Sequence, residues 1–198
     1  MLIIALLIKL TSPGPIIYKQ VRITEKNREF NIYKFRTMYK DAEKLTGPVL
    51  ATDDDPRITK VGKILRAARL DELPQLFNVL KGEMSFVGPR PERPFFVAQF
   101  EKQHPTYTYR HNVKAGITGL AQVLGKYTTD FDDKLRFDLM YITNYSIWLD
   151  IKIILLTIKT AFMKEASSGV KDDMTLNQLL ESLNYNVYRE VGVTKLDK

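Results

Sequence analysis

The stretch Tyr145–Met163, YSIWLDIKIILLTIKTAFM, does most to limit the folds open to this chain. Read as a helix, it places Lys152 and Lys159 on one narrow polar strip, and nearly every other direction is apolar. Such a helix is not stable alone in water. It is either a buried core helix or a helix lying on or in a membrane interface, and Trp148 near its start suits the second setting.

A second apolar run, Met1–Leu10, is interrupted only by Lys9. A spanning helix needs about 20 such residues, so this run is too short to cross a bilayer by itself. Thr11-Ser12-Pro13-Gly14-Pro15 ends it, because two prolines and a glycine cannot continue a helix. Strand-like runs at Ile16–Ile23 and Phe30–Arg36, separated by polar Thr24–Glu29, predict a β-hairpin. Asp53-Asp54-Asp55-Pro56 reads as a turn and helix start. Leu73–Leu80 is helical in pattern, with Asp71 placed to cap it and Pro74 in its first turn. Lys81-Gly82 ends that helix. Pro94–Gln103 predicts a further short helix, Gly116–Gly119 a turn or loop, and Leu176–Leu183 an amphipathic run in a polar tail. The sum is an α+β, mainly helical single domain with a small β-hairpin and amphipathic membrane-interface helices.

Composition narrows the chemistry. The chain has no cysteine, which excludes disulfides, thiolate metal sites and thiol catalysis. Two histidines, His104 and His111, leave little for a zinc site or a Ser-His triad. The net charge of +7 suits an anionic partner such as a nucleic acid, a phosphorylated ligand or an anionic membrane face. Charge alone, however, is better explained by a basic protein with no such ligand. The sequence contains neither a Walker-type phosphate loop nor a Gly-rich dinucleotide fingerprint, so a bound nucleotide has to be held by arginines and a metal.

Three local patterns can carry chemistry. In Arg69-Leu70-Asp71-Glu72-Leu73-Pro74, two adjacent carboxylates stand at a predicted helix N-terminus, behind Arg66 and Arg69. Free N–H groups and nearby arginines favour an ionised carboxylate, which is what a carboxylate nucleophile requires. Spacing alone favours the commoner outcome, a helix cap with a salt bridge. In Gly88-Pro89-Arg90-Pro91, prolines on both sides preorganise an arginine whose planar fork matches phosphate oxygens. A rigid surface turn with a solvated arginine fits equally well. Lys34-Phe35-Arg36 puts two cations at a strand end, where an edge-strand charge pair is the simpler account. Arg57, Lys60, Lys63, Arg66 and Arg69 recur every third residue and smear over a broad helical sector, mostly a solvated face.

Several blocks in order resemble the bacterial sugar transferase family, the monotopic phosphoglycosyl transferases: Ser12-Pro-Gly-Pro15, Tyr33-Lys-Phe-Arg-Thr-Met38, Leu70-Asp-Glu-Leu-Pro-Gln-Leu76, Asn78-Val-Leu-Lys-Gly82, Met84-Ser-Phe-Val-Gly-Pro-Arg-Pro91 and Gly116-Ile-Thr-Gly-Leu-Ala-Gln122. The resemblance runs from about Leu2 to about Met163. It implies transfer of a sugar-1-phosphate from a UDP-sugar to undecaprenyl phosphate, the initiating step of exopolysaccharide, capsule or O-antigen synthesis. By position it implies Asp71 as nucleophile through a covalent phosphosugar intermediate, with release of UMP. Glu72 is expected to assist or to bind Mg²⁺, with Asp138 as a second acidic metal position. Lys34, Arg36, Arg66 and Arg90 are expected at the phosphates or uridine. It further implies membrane lipids as partners, no nucleic acid, and the cytoplasmic face of the bacterial inner membrane, with a homo-oligomer left open. By the same resemblance, residues 1–15 are expected to be the end of a longer membrane-inserted segment, 16–165 the catalytic domain and 166–198 a polar tail with a short helix. The chain departs from the family pattern at Thr24 and Arg28, where glycines are usual, and at Ala115, where a proline is common. A nucleic-acid module and a catalytically inert membrane adaptor are the competing readings; the first lacks a recognised motif, and the intact Asp71-Glu72 pair argues against the second.

Overall fold

The proline-glycine break after the first apolar run does end a helix. A computed structural model describes residues 1–40, 42, 55–125, 131–162, 186–190 and 193–197 of the chain. In it α1 spans Leu2–Thr11. Gly14 follows with a positive φ of 122°, and a Cβ there would lie 2.2 Å from the Arg36 guanidinium, so the turn is built on glycine. Arg36 in turn donates to the Ser12 and Pro13 carbonyls at 2.8 and 2.7 Å, tying the end of α1 to the hairpin.

That hairpin is β1 (Ile17–Ile23) against β2 (Glu29–Phe35), antiparallel, with Ile17 opposite Phe35 and Ile23 opposite Glu29. Lys26 and Asn27 take positive φ in the turn, the conformation that glycines would more readily supply. Phe30 and Ile32 face one core cluster with Met84, and Phe35 faces another with Ile8 and Leu65.

The helix α2 spans Lys60–Ala67. It starts later than Asp53-Pro56 suggests: Thr59 caps it, accepting from the Gly62 N–H at 2.9 Å, while Asp55 folds onto Arg57. Gly62 packs directly on the chain after β2, where an added Cβ would stand 2.0 Å from the Thr37 carbonyl oxygen. Gly62→Ala therefore destabilises by about 1–3 kcal/mol through backbone displacement, although alanine is the better helix former by about 1 kcal/mol. A thermal melt checks this, and an unchanged or raised Tm contradicts the packing.

A single 3₁₀ turn, Leu70–Glu72, leads to α3 (Gln75–Leu80). Asp71 does not cap α3, whose N-cap is Pro74 with no side-chain cap bond. The reason is Arg69, which takes a left-handed conformation (φ 53°) and breaks the helical path before the carboxylates. Asn78 pins α3 to the hairpin: fully buried at 0% exposure, it accepts from the Tyr33 N–H and donates to the Asn31 carbonyl and to Glu83.

Next come β3 (Ser85–Val87), α4 (Pro94–Gln103), a 3₁₀ segment Pro105–Asn112, β4 (Gly116–Thr118), α5 (Leu120–Leu124), α6 (Phe131–Thr143) and α7 (Ile147–Phe162). The predicted Gly116–Gly119 loop contains β4, which pairs parallel with β3. At three residues each, these strands are too short for an alternation pattern to show. Val87, Leu120, Tyr141, Leu149 and Ile153 form the core that joins β3, α5, α6 and α7. A second hairpin, β5 (Asn186–Glu190) and β6 (Val193–Asp197), lies in the tail. The predicted run Leu176–Leu183 and the 165/166 boundary lie outside the described residues.

The α7 helix resolves into two faces. Leu149 and Ile153 are buried, whereas Ile147, Trp148 (74% exposed), Ile151, Ile154, Leu155 and Ile158 are not. On α1 only Ile8 is buried, with Leu2 88% exposed. Exposed apolar surface concentrated on two helices exceeds the scattered exposure of an ordinary soluble surface. Among the described residues no helix is long and apolar enough to cross a membrane.

Candidate active site

The 3₁₀ turn carrying Asp71 and Glu72 packs against β2 and α2. From β2, Lys34 extends on the same face as Phe30 and Ile32, following the two-residue period of a strand. Its Nζ donates to Glu72 Oε1 at 2.8 Å. From the loop after β3, Arg90 Nη2 donates to the same oxygen at 2.9 Å. Arg66, in the last turn of α2, holds Thr37 Oγ1 at 2.9 Å and exerts its charge on Asp71. Three of the four predicted phosphate cations, Lys34, Arg66 and Arg90, thus gather around the carboxylate pair.

The two adjacent carboxylates are pushed in opposite directions. Burial alone would raise the Glu72 carboxyl, but the charges of Arg90 and Lys34 outweigh it and hold it down at about 2. Asp71, only 9% exposed, forms no ion pair among the described residues. Burial dominates there and raises its pKa, supported by the Glu72 charge and opposed by Lys34 and Arg66. Proximity to arginines predicts the reverse shift; the desolvation that follows from packing into the turn is the stronger effect. Burial, with Arg90 close by, also lowers the Lys34 pKa, while Glu72 raises that of Arg90. Environments that separate two neighbouring carboxyls in this way suit them to different tasks.

The Arg90 loop is fixed by more than its prolines. The Gly88 N–H donates to the Thr118 carbonyl at 2.9 Å, and the Gly116 N–H to the Pro89 carbonyl at 3.0 Å. The Arg110 guanidinium donates to the Arg90 carbonyl at 3.0 Å, and the Ile23 N–H to the Glu92 carbonyl at 3.0 Å. Gly88 permits the approach to β4, since a Cβ there would lie 2.3 Å from the Lys114 carbonyl. A small cleft lined by Arg22, Lys34, Gln75 and Arg90 opens beside the cluster.

Two predicted residues hold other partners. Arg36 is buried, its guanidinium bonded to Ser12 and Pro13 as described above. Asp138 is buried on α6 and pairs with Arg110, whose Nε lies 2.7 Å from Asp138 Oδ2. No local pattern in the sequence singles out Arg22, Gln75 or Arg110 as site residues. Arg22 sits in the hairpin without a motif, and Arg110 lies in a 3₁₀ segment without periodicity. Only the fold brings them to the Arg90 loop.

A Mg²⁺ ion at a phosphate site commonly takes one or two carboxylates and fills its remaining positions with substrate oxygens and water. Glu72 fits that role: Oε1 accepts from both cations, and Oε2 accepts no hydrogen bond among the described residues. Asp138 does not join it in a preformed cage, being committed to Arg110. Among the described residues no group of three or more acidic or histidine side chains could hold a metal.

The family model for bacterial sugar transferases matches residues 1–164. The chain belongs to the bacterial sugar transferase family. It is 52% identical over 163 residues to an Aeromonas hydrophila UDP-N-acetylgalactosamine-undecaprenyl-phosphate N-acetylgalactosaminephosphotransferase, covering 81% of this chain and 38% of that protein. It is 45% identical over 169 residues to the UDP-glucose:undecaprenyl-phosphate glucose-1-phosphate transferase of Escherichia coli, covering 83% and 36% respectively. The chain is also 44% identical over 166 residues to the exopolysaccharide production protein PSS of Rhizobium leguminosarum, covering 80% of this chain and 83% of that protein. The chain therefore spans well under half the length of the first two relatives.

Proposed function

We propose that this transferase moves a sugar-1-phosphate from a UDP-sugar to undecaprenyl phosphate in two steps at Asp71. In the first, an Asp71 carboxylate oxygen bonds to the β-phosphorus, the bridging P–O bond to the α-phosphate breaks, and UMP leaves. In the second, a phosphate oxygen of the lipid bonds to that phosphorus and Asp71 departs as carboxylate, leaving a sugar diphospholipid. The observation that carries this reading is the contrast within the pair. Glu72 is held ionised by Lys34 and Arg90, whereas Asp71 is desolvated and forms no ion pair among the described residues. A carboxylate that is not tied up in a direct ion pair is available to attack, and desolvation strengthens it as a nucleophile.

Phosphoryl transfer depends on placement and charge neutralisation more than on proton chemistry. Lys34, Arg66 and Arg90 supply cations around the transferred group, and Arg90 offers a planar fork to its oxygens. Mg²⁺, held at Glu72, would add charge neutralisation at the diphosphate. The names of the Aeromonas and E. coli relatives support the donor and acceptor classes. A lipid phosphate acceptor requires a membrane face, and the exposed apolar residues of α1 and α7, with a net charge of +7, suit the cytoplasmic face of an anionic inner membrane.

The test is product analysis with undecaprenyl phosphate, Mg²⁺ and a panel of UDP-sugars. UMP released in equal amount with a sugar diphospholipid is the expected result. Release of UDP instead, with a singly phosphorylated lipid product, contradicts the reading.

A further inference from the structure

The loop that presents Arg90 is gripped by a buried ionic group outside the carboxylate cluster. Arg110 is 7% exposed, and all three arms of its guanidinium are engaged. Nε donates to Asp138 Oδ2 at 2.7 Å, Nη1 to the Tyr107 hydroxyl, and Nη2 to the Arg90 carbonyl at 3.0 Å. Asp138 is itself 3% exposed and Tyr107 2%. Pro89 and Pro91 have no N–H to offer, so carbonyls are the main handles on this loop. Two of them are taken by one segment of chain: Pro89 by the Gly116 N–H and Arg90 by Arg110. On its outer side, Arg90 is 46% exposed and reaches Glu72 at 2.9 Å. A long, half-exposed arginine loses its aim unless its backbone is held, and here that anchor is a second arginine.

We propose that Arg110, oriented by Asp138, is a positioning residue that acts on the transfer reaction through Arg90. The inference rests on the proposed role of Arg90 at the diphosphate. Only a planar guanidinium can serve carboxylate, phenol and carbonyl at once; lysine keeps the charge beside Asp138 but not the three fixed directions. A buried ion pair is often replaceable as far as stability goes, so placement of Arg90 accounts for this pair better than stability does. Misplacement by about 1 Å at a reacting group lowers turnover by up to about a hundredfold.

The test is a double-mutant cycle on the full chain with lipid acceptor, comparing wild type, Arg110→Lys, Arg90→Ala and the double variant. UMP release gives kcat/KM, and a thermal melt gives Tm. The expected result is a fall of about ten- to a hundredfold for Arg110→Lys in the wild-type background. In the Arg90→Ala background the same change alters kcat/KM by less than about twofold, because the residue it acts through is gone. The Tm change caused by Arg110→Lys is the same in both backgrounds, so stability adds while activity does not. Should Arg110→Lys not fold, Asp138→Asn, which keeps the shape and weakens the Nε anchor, takes its place in the cycle. Equal losses of kcat/KM in both backgrounds, or no loss in the wild-type background, overturn the proposal. Undiminished turnover in Arg90→Ala removes the site reading beneath it, and the proposal with it.

Discussion

Asp71→Asn abolishes transfer, lowering kcat by about a thousandfold or more, and yet leaves the protein at least as heat-stable as the wild type at neutral pH. The two halves have one cause. Burial raises the Asp71 pKa, so the folded chain binds this proton more tightly than the unfolded chain does. Stability from this group therefore falls as pH rises from the ordinary aspartate range, about 3.9, through the raised folded value. Above both, the ionised carboxylate is a net cost to the fold, and asparagine removes that cost while keeping the shape. The Tm advantage of the variant vanishes in acid, where wild-type Asp71 is protonated as well. The same shift acts on catalysis: since only ionised Asp71 can attack, kcat/KM rises with pH through a midpoint above the ordinary aspartate range. Retained turnover in Asp71→Asn contradicts the nucleophile assignment. A clear drop in its Tm contradicts the desolvation account.

Glu72→Gln has the opposite stability signature, although the two residues are neighbours. Glu72 neutralises Lys34 and Arg90 on one oxygen, at 2.8 and 2.9 Å. Glutamine leaves these two cations facing each other. Breaking a fully buried pair costs about 3–5 kcal/mol; with Arg90 partly in water, the expectation here is about 2 kcal/mol. The folded carboxyl titrates at about 2, below its ordinary value of 4.5. Its stabilisation is thus present above the ordinary value and lost as pH falls toward about 2. The deficit of Glu72→Gln is full at neutral pH and narrows through that window. Activity falls too, because Lys34 and Arg90 lose the group that places them. A variant with wild-type Tm at neutral pH contradicts the ion-pair geometry.

These two residues also mark where the sequence stops being informative. The pairing of Asp71 and Glu72 as candidates is legible from their place in Leu70–Leu76, and Lys34, Arg66 and Arg90 do converge on them. The opposite environments of the two carboxylates are not legible, because helix-capping logic puts Asp71 at the start of α3. A single left-handed residue, Arg69, moves it into a 3₁₀ turn, where burial outweighs the arginines. Arg36 looks like a phosphate ligand beside Lys34, yet its bonds go to Ser12 and Pro13. Alternation puts Lys34 and Arg36 on the same face, but β2 ends at Phe35, and nothing local reveals that a helix end waits beside the next residue. Arg110 carries no local signal, since its burial is tolerable only through Asp138 on another helix. The long elements behaved differently. The hairpin, α4 and α7 fall close to their predicted positions, because alternation and helical periodicity extend over enough residues to show. The three-residue strands β3 and β4 depend on pairing between distant segments and leave no such trace.

The most direct test of the central claim is intact-protein mass spectrometry after incubation with Mg²⁺ and a panel of UDP-sugars, with no lipid acceptor present. A carboxylate nucleophile predicts an increase equal to one sugar phosphate for at least one donor, mapped by peptide analysis to Asp71 and absent from Asp71→Asn. Sugar transfer to lipid by the same preparation, with no such adduct in the wild type or with an adduct that persists in Asp71→Asn, contradicts it.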